Sequence, residues 1–167
     1  MTTQIIEDDL SSPDTVALLR VHLTNAASHS PPESVHALDL SDLQAPEVTV
    51  WSVRDGSALL GFGALKQLDP SHGEIKSMHT AAAHRRKGVA ALLVRHIINK
   101  ARRRGYDRLS LETGSMDAFA AARALYASFG FGTCGPFAEY RADPHSIFMT
   151  LEISENTSSP DTTPNQP

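Results

Sequence analysis

The stretch that most constrains this chain runs from Gly73 to Arg104, GEIKSMHTAAAHRRKGVAALLVRHIINKARRR. A strand-like run leads through a small-residue turn to Arg85, Arg86, Lys87 and Gly88, and then into a long amphipathic helix. Apolar residues fall at Ala90, Leu93, Val94, Ile97, Ile98 and Ala101, one face of a helix of about four turns. Gly105 closes it as a C-terminal glycine. The first-turn amides of a helix lack internal partners and carry part of its dipole. A sharp turn into the helix aims them at one point, Gly88 allows close approach to the backbone, and three cations surround it. A pyrophosphate suits that geometry.

The remaining chain reads as elements that a layered domain needs. Thr3–Glu7 is a short strand, and Ser12-Pro13-Asp14 starts a helix with Val16, Leu19 and Leu23 at helical spacing. Pro31 and Pro32 break it, and Glu33 to Leu43 supplies short helical turns. Val48 to Val53, Ala58 to Leu68 and Glu74 to Thr80, separated by turns at 54–57 and 69–73, form an antiparallel meander. Leu109 and Leu111 alternate with Ser110 and Glu112 in a strand that ends at Thr113-Gly114. Asp117 caps a helix over Ala120 to Ser128, stopped by Gly130 and Gly132. Phe131 to Phe137 and Ser146 to Ile153 are closing strands. From Ser154 onward there is no apolar face, so residues 1–153 read as one domain and 154–167 as a disordered polar tail. This order predicts an α/β (α+β) domain around a mixed sheet.

Several function classes are excluded by totals and spacing. The single cysteine, Cys134, leaves no internal disulfide framework and no multi-cysteine metal site, and it reads as a buried side chain. The N-terminus has no signal-peptide pattern, so a cytoplasmic location is expected and Asn156-Thr157-Ser158 is a chance sequon. No run approaches the ~20 apolar residues of a membrane span. Eight of the 15 Lys and Arg residues lie between Arg85 and Arg104 on a chain of net charge -4. A locally basic element on an acidic protein points to a small anionic ligand rather than nucleic acid. The stripe Ala90, Leu93, Ile97 and Ala101 must be buried, and no helix-turn-helix partner accompanies it. Lys100 to Arg104 reads as a solvated helix end. The chain has no G-x-x-x-x-G-K-[ST], Gly61-x-Gly63 lacks a third glycine, and neither H-E-x-x-H nor G-x-S-x-G occurs.

Arg85-Arg86-Lys87-Gly88-Val89-Ala90 resembles the Q/R-x-x-G-x-G/A acetyl-CoA signature of the GNAT (GCN5-related) N-acetyltransferase superfamily. Glu74 to Thr80 resembles that family's fourth strand, and Leu125-Tyr126-Ala127-Ser128-Phe129-Gly130-Phe131 its L-Y-x-x-x-G-F segment. The element order is similar from residue 3 to about 153. SPPESVHALD, GEIKSM, SLETG and DPHSIFM are similar to the indole-acetic-acid-type acetyltransferase group.

The resemblance implies a GNAT-like, mostly antiparallel sheet with splayed strands between helices. It implies transfer of acetyl from acetyl-CoA, as co-substrate and without a metal, to a primary amine of a small molecule or peptide in a ternary complex. The protein would act as a monomer or homodimer. Backbone at Met78, His79 and Thr80 would hold the thioester end, where a bulge and splay open room. Arg85, Arg86, Lys87, Gly88, Val89 and Ala90 would hold the pyrophosphate. Tyr126 falls on the family's general acid, protonated at neutral pH by its ordinary pKa of ~10. Glu74 stands where related enzymes keep a catalytic glutamate, with Glu112 and His79 as rivals. Regular alternation puts Glu74 and Met78 on one face of the strand and Ser77 and His79 on the other. Phe119 replaces an asparagine that commonly contacts the cofactor. Glu33, His36, Glu112 and Tyr140, with Phe137, Asp143 and His145, fall in segments that flank the acceptor cleft. The alternative is a non-catalytic acyl-CoA-binding regulatory domain, against which the retained Tyr126 argues.

Overall fold

The amphipathic stretch after Gly88 forms helix α3, Val89–Arg103, in the computed structural model, which describes residues 3–153. Its buried side chains are Val89, Leu93, Val94, Ile97, Ile98 and Ala101; the expected stripe holds from Leu93 onward, but Val89 rather than the half-buried Ala90 stands at its start. They pack on one seven-stranded sheet: β1 Thr3–Glu7, β2 Val48–Asp55, β3 Ala58–Asp69, β4 His72–Thr80, β5 Arg108–Gly114, β6 Gly132–Cys134 and β7 Ser146–Glu152. The strand order is β1-β2-β3-β4-β5-β7-β6. β4 and β5, joined through α3, are parallel, and every other neighbouring pair is antiparallel.

Each face of the sheet buries its own cluster. On the α3 face Trp51, Val53, Leu65, Ile75, Leu109 and Leu111 pack with α3 and with Tyr126 of α4, Ala120–Ser128. On the other face Val50, Phe62 and Ala64 pack with Leu19 of α1, Pro13–His29, and Leu43 of α2, Leu40–Leu43. A two-pronged ion pair fastens the start of α1 to the end of β2, Arg54 Nη1 and Nη2 lying 2.7 and 3.0 Å from the Asp14 carboxylate. Among the described residues no helix is long and apolar enough to cross a membrane.

Two expectations are corrected. The strand expected over Phe131 to Phe137 is only Gly132–Cys134, because Pro136 has no N–H for the ladder and Ala138 turns the chain with a φ of 51°. Asp117 caps no helix; it opens a 3-10 turn, Asp117–Phe119, that leads into α4. Arg123 serves that corner instead, its Nη1 donating to the carbonyls of Gly114 and Met116 at 2.6 and 3.0 Å. The expected tail, 154–167, lies outside the described residues.

Candidate active site

β4 pairs with β5 only from His72 to Ile75, against Arg108 to Leu111. Beyond that point β4 stays with β3 and β5 stays with β7, so the parallel pair splits open. The backbone of β4 from Lys76 to Thr80 therefore has no strand partner on its β5 side. On its other side the register with β3 slips, so that Ser77 and Met78 together oppose Gly63, and Ser77 takes a φ of 56°. The slip is a β-bulge, whose extra residue inverts the side-chain alternation downstream. β3 runs tight against it: a Cβ on Gly63 would strike Met78 Sδ, and one on Gly61 would lie 2.6 Å from the His79 carbonyl.

The bulge overturns the regular alternation expected for β4. Glu74 and Lys76 stand opposite Lys66 and Ala64 on the α1 face, and His79 stays on that face opposite Phe62. Met78 crosses over and packs with the α3 cluster. One extra residue thus puts Glu74 and His79 on a common face and takes Met78 away from them.

The split opens an inner cavity of about 440 Å³. Ser77, Met78, His79 and Thr80 border it on one side and Glu112 and Thr113 on the other. Arg85, Ala90, His36 and Tyr126 also line it. Tyr126 is 6% exposed, its ring edge-on to Phe131, and burial holds its phenol well above the ordinary tyrosine value. Its hydroxyl makes no hydrogen bond among the described residues, and neither Ser77 Oγ nor His79 Nε2 has a partner although both are buried. Phe119 also borders this cavity; its ring lies on Gly114, where a Cβ would collide with it.

His79 meets His22 of α1, the two Nδ1 atoms 3.2 Å apart. Burial, and then the neighbouring His79, lower the pKa of His22 to about 4. Burial, and then Arg85, lower that of His79.

The turn into α3 is left-handed at Arg86 and Gly88, with φ of 65° and 80°. Arg85, Arg86, Lys87 and Gly88 are exposed, Val89 is buried and Ala90 is half-buried. Lys87 Nζ lies 3.0 Å from His84 Nδ1. The cations at the far end of α3 are elsewhere: Arg104 donates to Thr49 Oγ1 at 3.1 Å and lies over Trp51.

A larger outer cleft, about 1260 Å³, covers the α1 face beside the split and shares His36 and Lys76 with the inner cavity. Glu33, Glu74 and Tyr140 border only this cleft, Glu33 exposed and Glu74 just 3% exposed. Tyr140 Oη donates to Glu74 Oε2 at 2.5 Å, and Lys76 Nζ donates to Tyr140 Oη at 2.7 Å and to the His36 carbonyl at 3.2 Å. Lys76 Nζ is also 3.3 Å from Glu74 Oε2. Phe137, Phe148 and His36 pack around the Tyr140 ring. Burial, and then the Glu74 carboxylate, push this phenol far above its ordinary value. Glu112, on the inner side, accepts from Ser146 Oγ at 2.8 Å, and burial raises its carboxyl pKa. Ser34 Oγ, at the inner cavity, donates to Asp143 Oδ2, at the outer cleft, at 2.6 Å.

Lys76 and His22 were not legible as site residues. Lys76 looks like any cation on a strand, and His22 follows Leu19 on a helix whose neighbours cannot be read from its own spacing. Cys134 lies half-buried on the outer cleft.

The fold is similar to that of a GNAT family acetyltransferase from Elizabethkingia anophelis, solved with acetyl-CoA bound. That match has a TM-score of 0.67 at 19% identity and covers 90% of this chain and 97% of the other. The profile of the Acetyltransferase (GNAT) family matches residues 15–131. Over 146 residues the chain is 56% identical to the uncharacterized N-acetyltransferase YsnE of Bacillus subtilis (strain 168), spanning 87% of this chain and 97% of that protein. Over 120 residues it is 36% identical to the IAA acetyltransferase of Azospirillum brasilense, spanning 71% and 77%. This chain belongs to the GNAT acetyltransferase family, and it is an acetyltransferase of that class.

Proposed function

We propose that this protein transfers the acetyl group of acetyl-CoA to the primary amine of a small molecule or peptide, by direct attack in a ternary complex. The observation that carries the reading is the split between β4 and β5, whose unpaired backbone segment lines one cavity with Tyr126. The thioester supplies an activated acyl group. The free backbone of Lys76 to Thr80 offers amides to the thioester carbonyl and pantetheine, donors that cost no reorganisation when charge develops there. The left-handed turn suits the pyrophosphate, with Arg85, Arg86 and Lys87 around it and the amides of Gly88, Val89 and Ala90 at the start of α3. Tyr126 holds at Oη the proton that the departing thiolate takes, a role favoured by a phenol that burial keeps protonated.

The amine arrives from the outer cleft, whose wall holds Glu33, His36 and Tyr140, and Glu112 faces it across the split. Glu74, in that wall, receives the proton that the ammonium must lose before it can attack. The acid and the base thus stand at different cavities, as a reaction with one partner on each side requires. Acetyl-CoA is an intracellular metabolite, so the reaction is assigned to the cytoplasm.

The test is thermal stabilisation by acetyl-CoA, followed by thiol release with benzylamine, spermidine and a lysine-containing peptide. Stabilisation and amine-dependent thiol release are expected. No stabilisation at millimolar acetyl-CoA would sink the reading, and stabilisation without turnover would leave a non-catalytic binder.

A further inference from the structure

We infer that Tyr140 is a proton relay in this site: its hydroxyl takes the proton of the acceptor ammonium while passing its own proton to Glu74. This rests on the acetyl-transfer reading above and supplies the path that it lacks. Glu74 borders the outer cleft, but its Oε2 is already engaged by the Tyr140 hydroxyl at 2.5 Å and by Lys76 Nζ at 3.3 Å. With Glu74 3% exposed, an amine in the cleft meets Tyr140 before it meets the carboxylate.

The hydrogen-bond capacity of the phenol fits the task. A tyrosine hydroxyl has one donor and two acceptor sites. The donor is spent on Glu74, and one acceptor site takes Lys76 Nζ at 2.7 Å. The second acceptor site has no partner among the described residues, and it is what an ammonium N–H needs. Lys76 borders both cavities, so the hydroxyl beside it stands where the outer cleft meets the split.

In the step, the N–H bond of the ammonium breaks and an O–H bond forms at Tyr140 Oη. The original Tyr140 O–H bond breaks and an O–H bond forms at Glu74 Oε2. The amine ends neutral and able to attack, the tyrosine is unchanged, and Glu74 carries the proton. Lys76, a positioning residue, steadies negative charge on the phenolic oxygen during the exchange. The rings of His36, Phe137 and Phe148 hold Tyr140 in that pose. Other ionisable groups close to this point are Glu112 on β5, His36 on the loop before α2 and His72 on β4, which feels the Glu74 charge.

A relay that removes the proton lost before attack is needed only by an acceptor that starts protonated, while the proton shed by the nitrogen after attack goes to solvent for either acceptor; this separates the relay from a structural role. Benzylamine is an ammonium ion at pH 7.5, whereas O-benzylhydroxylamine is of similar shape and neutral. Thiol release is measured with both at saturating acetyl-CoA for wild type, Tyr140→Phe, Glu74→Gln and the double variant. For benzylamine each single variant is expected to lower kcat about 100-fold or more, with KM little changed. For O-benzylhydroxylamine the losses stay within about 3-fold, and the double variant is no worse than the poorer single one, as for residues acting as a unit. Equal losses on both probes, or no loss at all, overturn the relay and leave acetyl transfer standing. A wild type that acetyl-CoA stabilises but that acts on neither probe nor the other panel amines overturns the transfer reading and the relay with it. Retained stabilisation of each variant by acetyl-CoA shows that the fold is intact.

Discussion

The inner cavity and the outer cleft are built from the same strand, yet they treat hydrogen bonds in opposite ways. Around the split several polar atoms are unspent: Ser77 Oγ and His79 Nε2 are buried without a partner, and the Tyr126 hydroxyl has none among the described residues. Beside the outer cleft they are committed, with Glu74, Tyr140 and Lys76 bonded to one another. Buried polar atoms left unpaired cost free energy, so a cluster of them marks a place prepared for something to fill it. A closed network does the reverse: it fixes rings and charges in one arrangement and passes protons along its bonds. The difference teaches that the inner side is shaped to receive a ligand and the outer side to hold its groups in place, as the proposed deprotonation needs.

The largest effect should come from the inner side. Tyr126→Phe removes the proposed acid and should cut kcat by about 10²- to 10⁴-fold, with stabilisation by acetyl-CoA retained. Normal turnover in that variant would break the assignment of acid and base to separate cavities.

His22 sharpens the comparison through pH. The unfolded chain protonates His22 near its ordinary value of 6.5 and the native protein only near 4, so U binds more protons between those values. Native stability should therefore fall as pH drops from about 6.5 toward 4, by up to about 3 kcal/mol from this residue. His79, also lowered, adds to the same limb. Denaturation midpoints of His22→Gln should fall less steeply over that window; matching slopes would show that the buried pair does not set it.

Gly61→Ala tests the strand that backs both cavities. The new methyl group would meet the His79 carbonyl at 2.6 Å, Val89 Cγ1 at 2.9 Å and Thr80 Cα at 3.2 Å, and the closest of these is backbone, which cannot yield cheaply. A loss of about 1–3 kcal/mol is expected in chemical denaturation. The smallest effect belongs to the exposed cations. Replacing Arg85, Arg86 and Lys87 by alanine should weaken acetyl-CoA several-fold at low salt, with the gap to wild type narrowing as salt screens the charges. A gap that does not depend on salt would remove those side chains from the cofactor's binding.

Much of the scaffold was legible because it is local. The period of the α3 stripe, the glycines that end helices and the turn residues between the meander strands act within a few positions of themselves. The cation-glycine turn and the segment around Tyr126 could be read for the same reason. Where local rules were pressed further they failed. Phe131 to Phe137 has the composition of a strand but keeps only Gly132–Cys134, and Asp117 has the side chain of a cap but bonds no helix start.

The sequence by itself determined the order of the elements, the buried face of α3, the turn that precedes it and the family to which the chain belongs. Only the tertiary structure decided which side chains of β4 share a face, because alternation survives only as long as no residue is inserted. The bulge at Ser77 inserts one and moves Met78 to the α3 side. It likewise decided the partners of Glu74 and His79, which lie 66 positions away at Tyr140 and 57 positions away at His22. Bonds across such distances follow from strand register and loop closure, which no local pattern encodes.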